Sequence, residues 1–239
     1  MTIVNIHRWN RLIHCRKEYF SSAMQDLLQN IDFYIDRKPW RVLKNDPTST
    51  VVVLKVDDNY VVVKRANTKG WAHILRRFFT CSRAKKNWRN ASMLLDIGIP
   101  TFSPIALMEE RWGPLKWRSY FICSYIQGTE ALEYFSRTDE PQEQTKEIAT
   151  KIARMLQTLA KHWISHRDIN LSNIILVDGE PWLIDLDSMR QHRFSFIATR
   201  GARRERERFI NNCSDTPIIL PEVLSLFGTI FNELDTCGN

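Results

Sequence analysis

The stretch "STVVVLKVDDNYVVVKRAN", residues 49 to 67, leaves this chain few choices. Two runs of β-branched residues flank Asp57-Asp58-Asn59. Side chains stiff at χ1 favour pleated backbone, and a short Asp/Asn break between such runs reads as an antiparallel hairpin. Period two then puts Tyr60, Val62 and Lys64 on one face of the second strand, and Val61 and Val63 on the other. A lysine therefore projects from the end of an apolar strand.

The following residues extend this pattern. In "KGWAHILRRFF", Trp71, Ile74, Leu75 and Phe78 recur at helical spacing. A second helix carrying Trp88, Met93 and Leu95 is closed by Gly98 and Pro100. "PIALMEERWGPLKWRSYFICSYIQG" reads as a hairpin turning near Trp112-Gly113-Pro114. A helix from Pro141 to Trp163 buries the stripe Ile148, Ile152, Met155, Leu156 and Leu159. Residues 1–45 show no readable period. Strands with a helix come first, then helices with two short strands, which is an α+β order.

Composition narrows the function. No run approaches the roughly 18 apolar residues of a membrane span, and the start has no signal-peptide h-region, so a cytoplasmic setting is expected. Cys15, Cys81, Cys123, Cys213 and Cys237 are scattered and never form C-x-x-C, so they read as buried hydrophobes rather than a disulfide or zinc framework. The formal net charge of +7 favours anionic partners. No nucleic-acid reading motif accompanies it, and no nucleic acid is expected.

The chemistry is carried by "HRDINLSNIILVDGEPWLID", residues 166 to 185. Its apolar runs flank Asp178-Gly179 and read as a hairpin. Asn173 precedes the first strand and Asp185 follows the second, so both reach one metal ion. Oxygen donors of this type suit Mg²⁺ carrying substrate phosphates. Asp168, on the same loop, is placed to take a proton from an attacking hydroxyl. His162 and His166 also stand at the i, i+4 spacing of a metal pair, but His166 reads better as packing for the loop.

Strand lysine, H-R-D-x₄-N and hairpin aspartate, in that order, resemble the protein-kinase-like fold. The resemblance implies two lobes: a β-rich N-terminal lobe over residues 1–125 and a short, mostly helical C-terminal lobe over 126–239. It implies that Lys64 holds the α- and β-phosphates of ATP, that Asp168 is the catalytic base, and that Asn173 and Asp185 are the Mg²⁺ ligands. Backbone around Cys123, Tyr125 and Ile126 would meet adenine. The sequence departs from the pattern at three places. No G-x-G-x-x-G precedes the first hairpin, so phosphate cover is expected from Thr48, Ser49 and Thr50. Asn87 or Asn90 stands where a glutamate would pair with Lys64. The D-F-G position reads Asp185-Leu186-Asp187, which makes Asp187 a further metal-ligand candidate.

"VVVKRAN", "SRAKKNWRNASMLLDIGIPTFSPIAL", "HRDINLSNIIL" and "WLIDLDSMR" resemble more closely the bacterial lipopolysaccharide kinase family. The stretch after Asp185 is short for the peptide-binding helices of Ser/Thr protein kinases, and "LPE" at 220–222 reads as a chance A-P-E. The resemblance implies ATP-dependent phosphorylation of a sugar hydroxyl on an inner-core glycolipid, at the inner face of the bacterial inner membrane. Two basic patches suit such partners. Lys69, Arg76, Arg77, Arg83, Lys85, Lys86 and Arg89, among Trp71, Phe78, Phe79 and Trp88, suit an anionic membrane. Arg193, Arg200, Arg203, Arg204, Arg206 and Arg208 suit an acidic acceptor. Two other functions compete: a small atypical protein kinase or ATPase, and a pseudokinase that binds nucleotide without turnover.

Overall fold

The computed structural model describes residues 2–67, 81–112, 115–137, 143–193, 195–215, 219 and 221–236. The helix expected around Trp71–Phe78 and the turn residues Gly113 and Pro114 lie outside the described residues, as does Pro141. The chain divides into two compact units. One comprises Met1–Met93 with Phe102–Tyr125, the other Leu94–Thr101 with Ile126–Asn239.

The first unit is built on a seven-stranded antiparallel sheet. Its strands are β1 (Ile3–Arg8), β2 (Arg11–Arg16), β3 (Arg41–Asp46), β4 (Ser49–Val56), β5 (Asn59–Ala66), β6 (Pro104–Trp112) and β7 (Leu115–Ser124), in the order β1-β2-β6-β7-β5-β4-β3. The β4–β5 hairpin turns at Asp57, whose φ of 52° an aspartate tolerates. Two short helices, α1 (Ser22–Gln29) and α2 (Ile31–Arg37), cover one face. Ser21 caps α1 by accepting the Met24 amide at 3.1 Å. Met24, Leu27, Leu28, Ile31 and Ile35 from these helices meet Val52, Leu54, Val61, Val63, Met108 and Ile122 in one core. Each fully buried side chain of this kind contributes about 1.5–3 kcal/mol.

Helix α3 (Arg83–Asp96) ends as the sequence predicts. Gly98, at φ 77°, donates to Leu95 O at 3.1 Å, and Ile99 donates to Leu94 O at 2.9 Å. Together these bonds form a Schellman closure. Its buried face differs from expectation. Ala84, Asn87, Asn90, Ala91 and Leu94 are buried, whereas Leu95 is exposed and Trp88 and Met93 are half-buried. Small and amide side chains line the covered side, and the bulky apolar residues flank it.

The second unit contains β8 (Thr129–Glu130), α4 (Ala131–Ser136), α5 (Glu143–Lys161), β9 (Ile164–Ser165), β10 (Ile174–Val177), β11 (Glu180–Leu183), β12 (Arg190–Gln191), α6 (Ser195–Ser214) and α7 (Pro221–Thr236). The expected stripe of α5 is buried in full, and α5 packs on α6, α7 and β11. Phe209 of α6 meets Phe227 of α7 with centroids 5.1 Å apart, and Phe135 closes on Phe227 at 5.4 Å. The β10–β11 hairpin turns at Asp178 (φ 50°) and Gly179 (φ 77°), the left-handed pair of a type I′ turn.

The architecture is thus α+β, an antiparallel β-rich unit followed by a helix-rich one. Among the described residues, no helix is long and apolar enough to cross a membrane. Cys15, Cys123 and Cys213 are buried free thiols, but Cys81 is exposed, contrary to its reading as a core residue. Cys237 lies outside the described residues.

Candidate active site

The β10–β11 hairpin fixes two of the expected metal ligands. Ile174 pairs with Leu183, and the Ile184 amide donates to Asn173 O at 2.8 Å. Asn173 and Asp185 therefore leave the same end of one hairpin. Asn173 Nδ2 donates to the backbone oxygen of Asp168 at 2.8 Å, which leaves Oδ1 as the acceptor end of that side chain. Asp185 has a φ of 54°. Buried Leu186 follows it, and Ser188 Oγ holds His166 O at 2.7 Å. Asp187 is half-buried two positions beyond Asp185. No ion pair among the described residues involves Asp168 or Asp185.

These oxygens fit Mg²⁺, a hard cation that accepts one or two protein ligands and keeps water or phosphate for the rest. The described residues contain no cluster of three His, Cys, Asp or Glu side chains suited to a metal. The His162–His166 pair is not formed, because His162 is exposed and His166 is fully buried. Burial lowers the pKa of His166, and the Asp185 and Asp168 carboxylates oppose that shift. Neither ring nitrogen makes a hydrogen bond of normal geometry among the described residues, although backbone of Asp168 and Ile184 lies close enough to favour its charged form.

The loop carrying Asp168 is gripped by α6, which the sequence reading assigned to the acceptor. Glu205 Oε1 accepts the Arg167 amide at 2.6 Å, Arg208 Nη1 donates to Arg167 O at 2.9 Å, and Asn212 Nδ2 donates to Ile169 O at 2.8 Å. Spaced i, i+3 and i+7, these three residues share one helix face. They bind the backbone on both sides of Asp168, and Arg167 is held at φ 68°. Burial raises the pKa of Glu205, against the pull of the Arg167 amide and the Arg208 charge. Arg208 thus supports the loop. Arg203 pairs with Glu207 at 3.0 Å, and Arg206 lies 5.8 Å from the Phe231 ring centroid. Only Arg193 and Arg204 of the expected acceptor patch stand exposed without a recorded partner, among the described side chains. The Arg200 side chain lies outside these.

In the first unit, Lys64 sits opposite Val51 on β4 and Phe121 on β7, on the sheet face away from the α1–α2 core. Its Nζ lies 5.2 Å from the Phe102 ring centroid. Among the described residues it has no carboxylate within ion-pair distance. The turn expected to cover a phosphate is differently engaged. Asp46 Oδ1 accepts the Thr48 amide at 2.6 Å, the Thr48 hydroxyl at 2.5 Å and the Ser49 amide at 2.8 Å. Thr50 is buried, and its hydroxyl faces Asn45 Oδ1 at 3.3 Å. The Thr48 hydroxyl and the backbone bonds hold the Asp46 pKa low. The donors assigned to phosphate therefore serve a carboxylate of the same turn.

Where adenine was expected, Ser124 and Tyr125 donate their amides to Ser103 O at 3.0 Å and Tyr60 O at 3.1 Å. Cys123 is buried in β7, and Ile126 begins the second unit. Of the basic and aromatic patch, Lys69, Trp71, Arg76, Arg77, Phe78 and Phe79 lie outside the described residues. Lys85 stands 3.8 Å from the buried Glu109.

The Asp168 loop, an amide and a carboxylate at one hairpin end, and a strand lysine are the features a protein of the kinase-like class would carry. The profile of the lipopolysaccharide kinase (Kdo/WaaP) family matches residues 48–204, well over half of the chain, and the chain belongs to that family. It is 24% identical over 165 residues to the lipopolysaccharide core heptose(I) kinase WaaP of Pseudomonas aeruginosa, covering 64% of this chain and 60% of that protein. It is 27% identical over 116 residues to the 3-deoxy-D-manno-octulosonic acid kinase of Xylella fastidiosa strain 9a5c, covering 46% and 45% respectively. The chain thus matches less than two thirds of the length of either relative. A solved structure of WaaP in complex with acyl carrier protein aligns with 83% of this chain and 89% of its own, at 19% identity and a TM-score of 0.49.

Proposed function

We propose that this protein is an ATP- and Mg²⁺-dependent kinase that transfers the γ-phosphoryl group to a sugar hydroxyl of a lipopolysaccharide inner-core glycolipid. Family membership supports the reaction class, and the named activities of the relatives, on heptose and on 3-deoxy-D-manno-octulosonic acid, support a sugar acceptor. In this reading Asp168 accepts the proton of the attacking hydroxyl, Asn173 and Asp185 hold the metal with Asp187 beside them, and Lys64 binds the α- and β-phosphates. Bound Mg²⁺ would neutralise phosphate charge during transfer. The protein works in the cytoplasm, peripherally on the anionic inner face of the inner membrane, where the glycolipid is presented.

The observation that carries the proposal is the bond from Asn173 Nδ2 to Asp168 O. It ties the backbone of the proposed base to the side chain of Asn173, one of the two residues that would hold the metal. The experiment is incubation with labelled ATP and matched pools of glycolipid, protein and free sugar. Label should enter the glycolipid, Asp168→Ala should abolish transfer while retaining nucleotide binding, and Asp185→Ala should remove the Mg²⁺ dependence of that binding. Label in protein alone, or in no pool, would refute the reading.

A further inference from the structure

The first unit carries a second lysine on the face of Lys64. Lys44 of β3 pairs with Val51 of β4, and Val51 pairs with Lys64 of β5. Directly opposed residues of antiparallel strands point to the same side, so Lys44, Val51 and Lys64 form one row across three strands. Two strand spacings separate the lysines by about 10 Å between Cα atoms. A register shift between Val42 and Lys44 produces this alignment. Without it, Lys44 would fall opposite Thr50, whose neighbour in the ladder is Arg65 rather than Lys64.

The adjoining turn makes this placement chemically significant. A phosphate near Lys64 cannot collect the Thr48 and Ser49 amides, because Asp46 already holds them. Asp46 also brings a negative charge to the turn, and Lys44 Nζ offsets it at 3.1 Å. The Lys44 and Asp46 side chains are 58% and 32% exposed, and an exposed pair of this kind holds its members weakly. A polyphosphate carries more charge than one carboxylate and competes well for the ammonium. Edge-strand lysines also deter sheet-to-sheet aggregation, but that role does not require the bulge that places Lys44 in the row of Lys64.

We propose that Lys44 is a second phosphate-binding cation of the nucleotide site, supplying from a side chain the cover that the engaged turn amides cannot. This rests on the nucleotide reading of Lys64 given above. The test is calorimetric binding of Mg·ATP and of adenosine to the full chain and to Lys44→Met, Lys44→Arg, Lys64→Met and Lys55→Met. Lys55 is an exposed cation near the far end of β4.

Lys44→Met should weaken Mg·ATP about tenfold, the loss of one charge-assisted contact, and leave adenosine unchanged. Lys44→Arg should recover most of the affinity, and Lys55→Met should match the unaltered protein. If Lys64→Met weakens ATP while Lys44→Met does not, the inference falls and the proposed function stands. If Lys44→Met weakens adenosine as much as ATP, Lys44 only supports the turn, and the inference again falls. If the unaltered chain binds no ATP, both fall.

Discussion

Glu205→Ala separates the positioning of Asp168, the proposed base, from the stability of the fold. The substitution removes the acceptor of the Arg167 amide, a bond of 2.6 Å made by a carboxylate that is only 7% exposed. A buried bond to a charged group contributes about 1.5–3 kcal/mol. Against that runs the cost of burying the charge, which shows in the raised pKa, so the net loss should be about 1–2 kcal/mol. In a chain of this length that lowers Tm by about 2–8 °C.

The effect on turnover should be larger. Asp168 sits between Arg167 and Ile169, the two residues whose backbone α6 holds. Misplacing a reacting group by about 1 Å costs on the order of 100-fold. With Mg·ATP and acceptor, kcat should fall about 10- to 100-fold while the KM for ATP moves less than about threefold. Glu205→Gln keeps an acceptor oxygen and should recover most of kcat. Glu207→Ala, at an exposed position of the same helix, serves as the control. A kcat that stays within about twofold well below Tm, or a rise in KM alone, would refute the argument.

Further outcomes follow from burial and charge. The folded pKa of Glu205 stands above its ordinary 4.5, so folding takes up a proton between the two values. Its contribution to stability should be full below about 4.5 and decline as pH rises through the raised value; urea titrations should show that slope, and Glu205→Gln should lack it. Gly128→Ala should destabilise by about 1–3 kcal/mol in the same assay, because a Cβ there meets Leu176 O at 2.4 Å and Ile175 Cγ2 at 2.7 Å. A mass-resolved thiol-labelling series should modify Cys81 before Cys15, Cys123 or Cys213, whose pKa values burial raises to about 11, 12 and 12.

The hairpins were legible because turn chemistry and apolar pattern agree there, at Asp57-Asp58 and at Asp178-Gly179. Residues 1–45 were not. The β1–β2 turn at Trp9-Asn10 has no glycine, α1 and α2 are too short for a clear stripe, and β3 is exposed at five of its six residues. At the site, the end-to-end placement of Asn173 and Asp185 followed directly from hairpin geometry. The grip of α6 was hidden because "GARRERERF" reads as a solvated charge run. Glu205, Arg208 and Asn212 on one helical face were the available signal. The turn misled for a local reason: "DPTS" is an aspartate-led turn, and such an aspartate commonly takes the amides two and three residues on.

Leu186, fully buried where the protein-kinase motif has phenylalanine, has a broader consequence. It anchors the residue after Asp185, Ser188 fastens the next stretch to His166 O, and no glycine follows to act as a pivot. A carboxylate fixed in this way depends on its hydrophobic neighbour: a smaller side chain at position 186 would loosen the seat of Asp185 before it disturbed anything else in the hairpin.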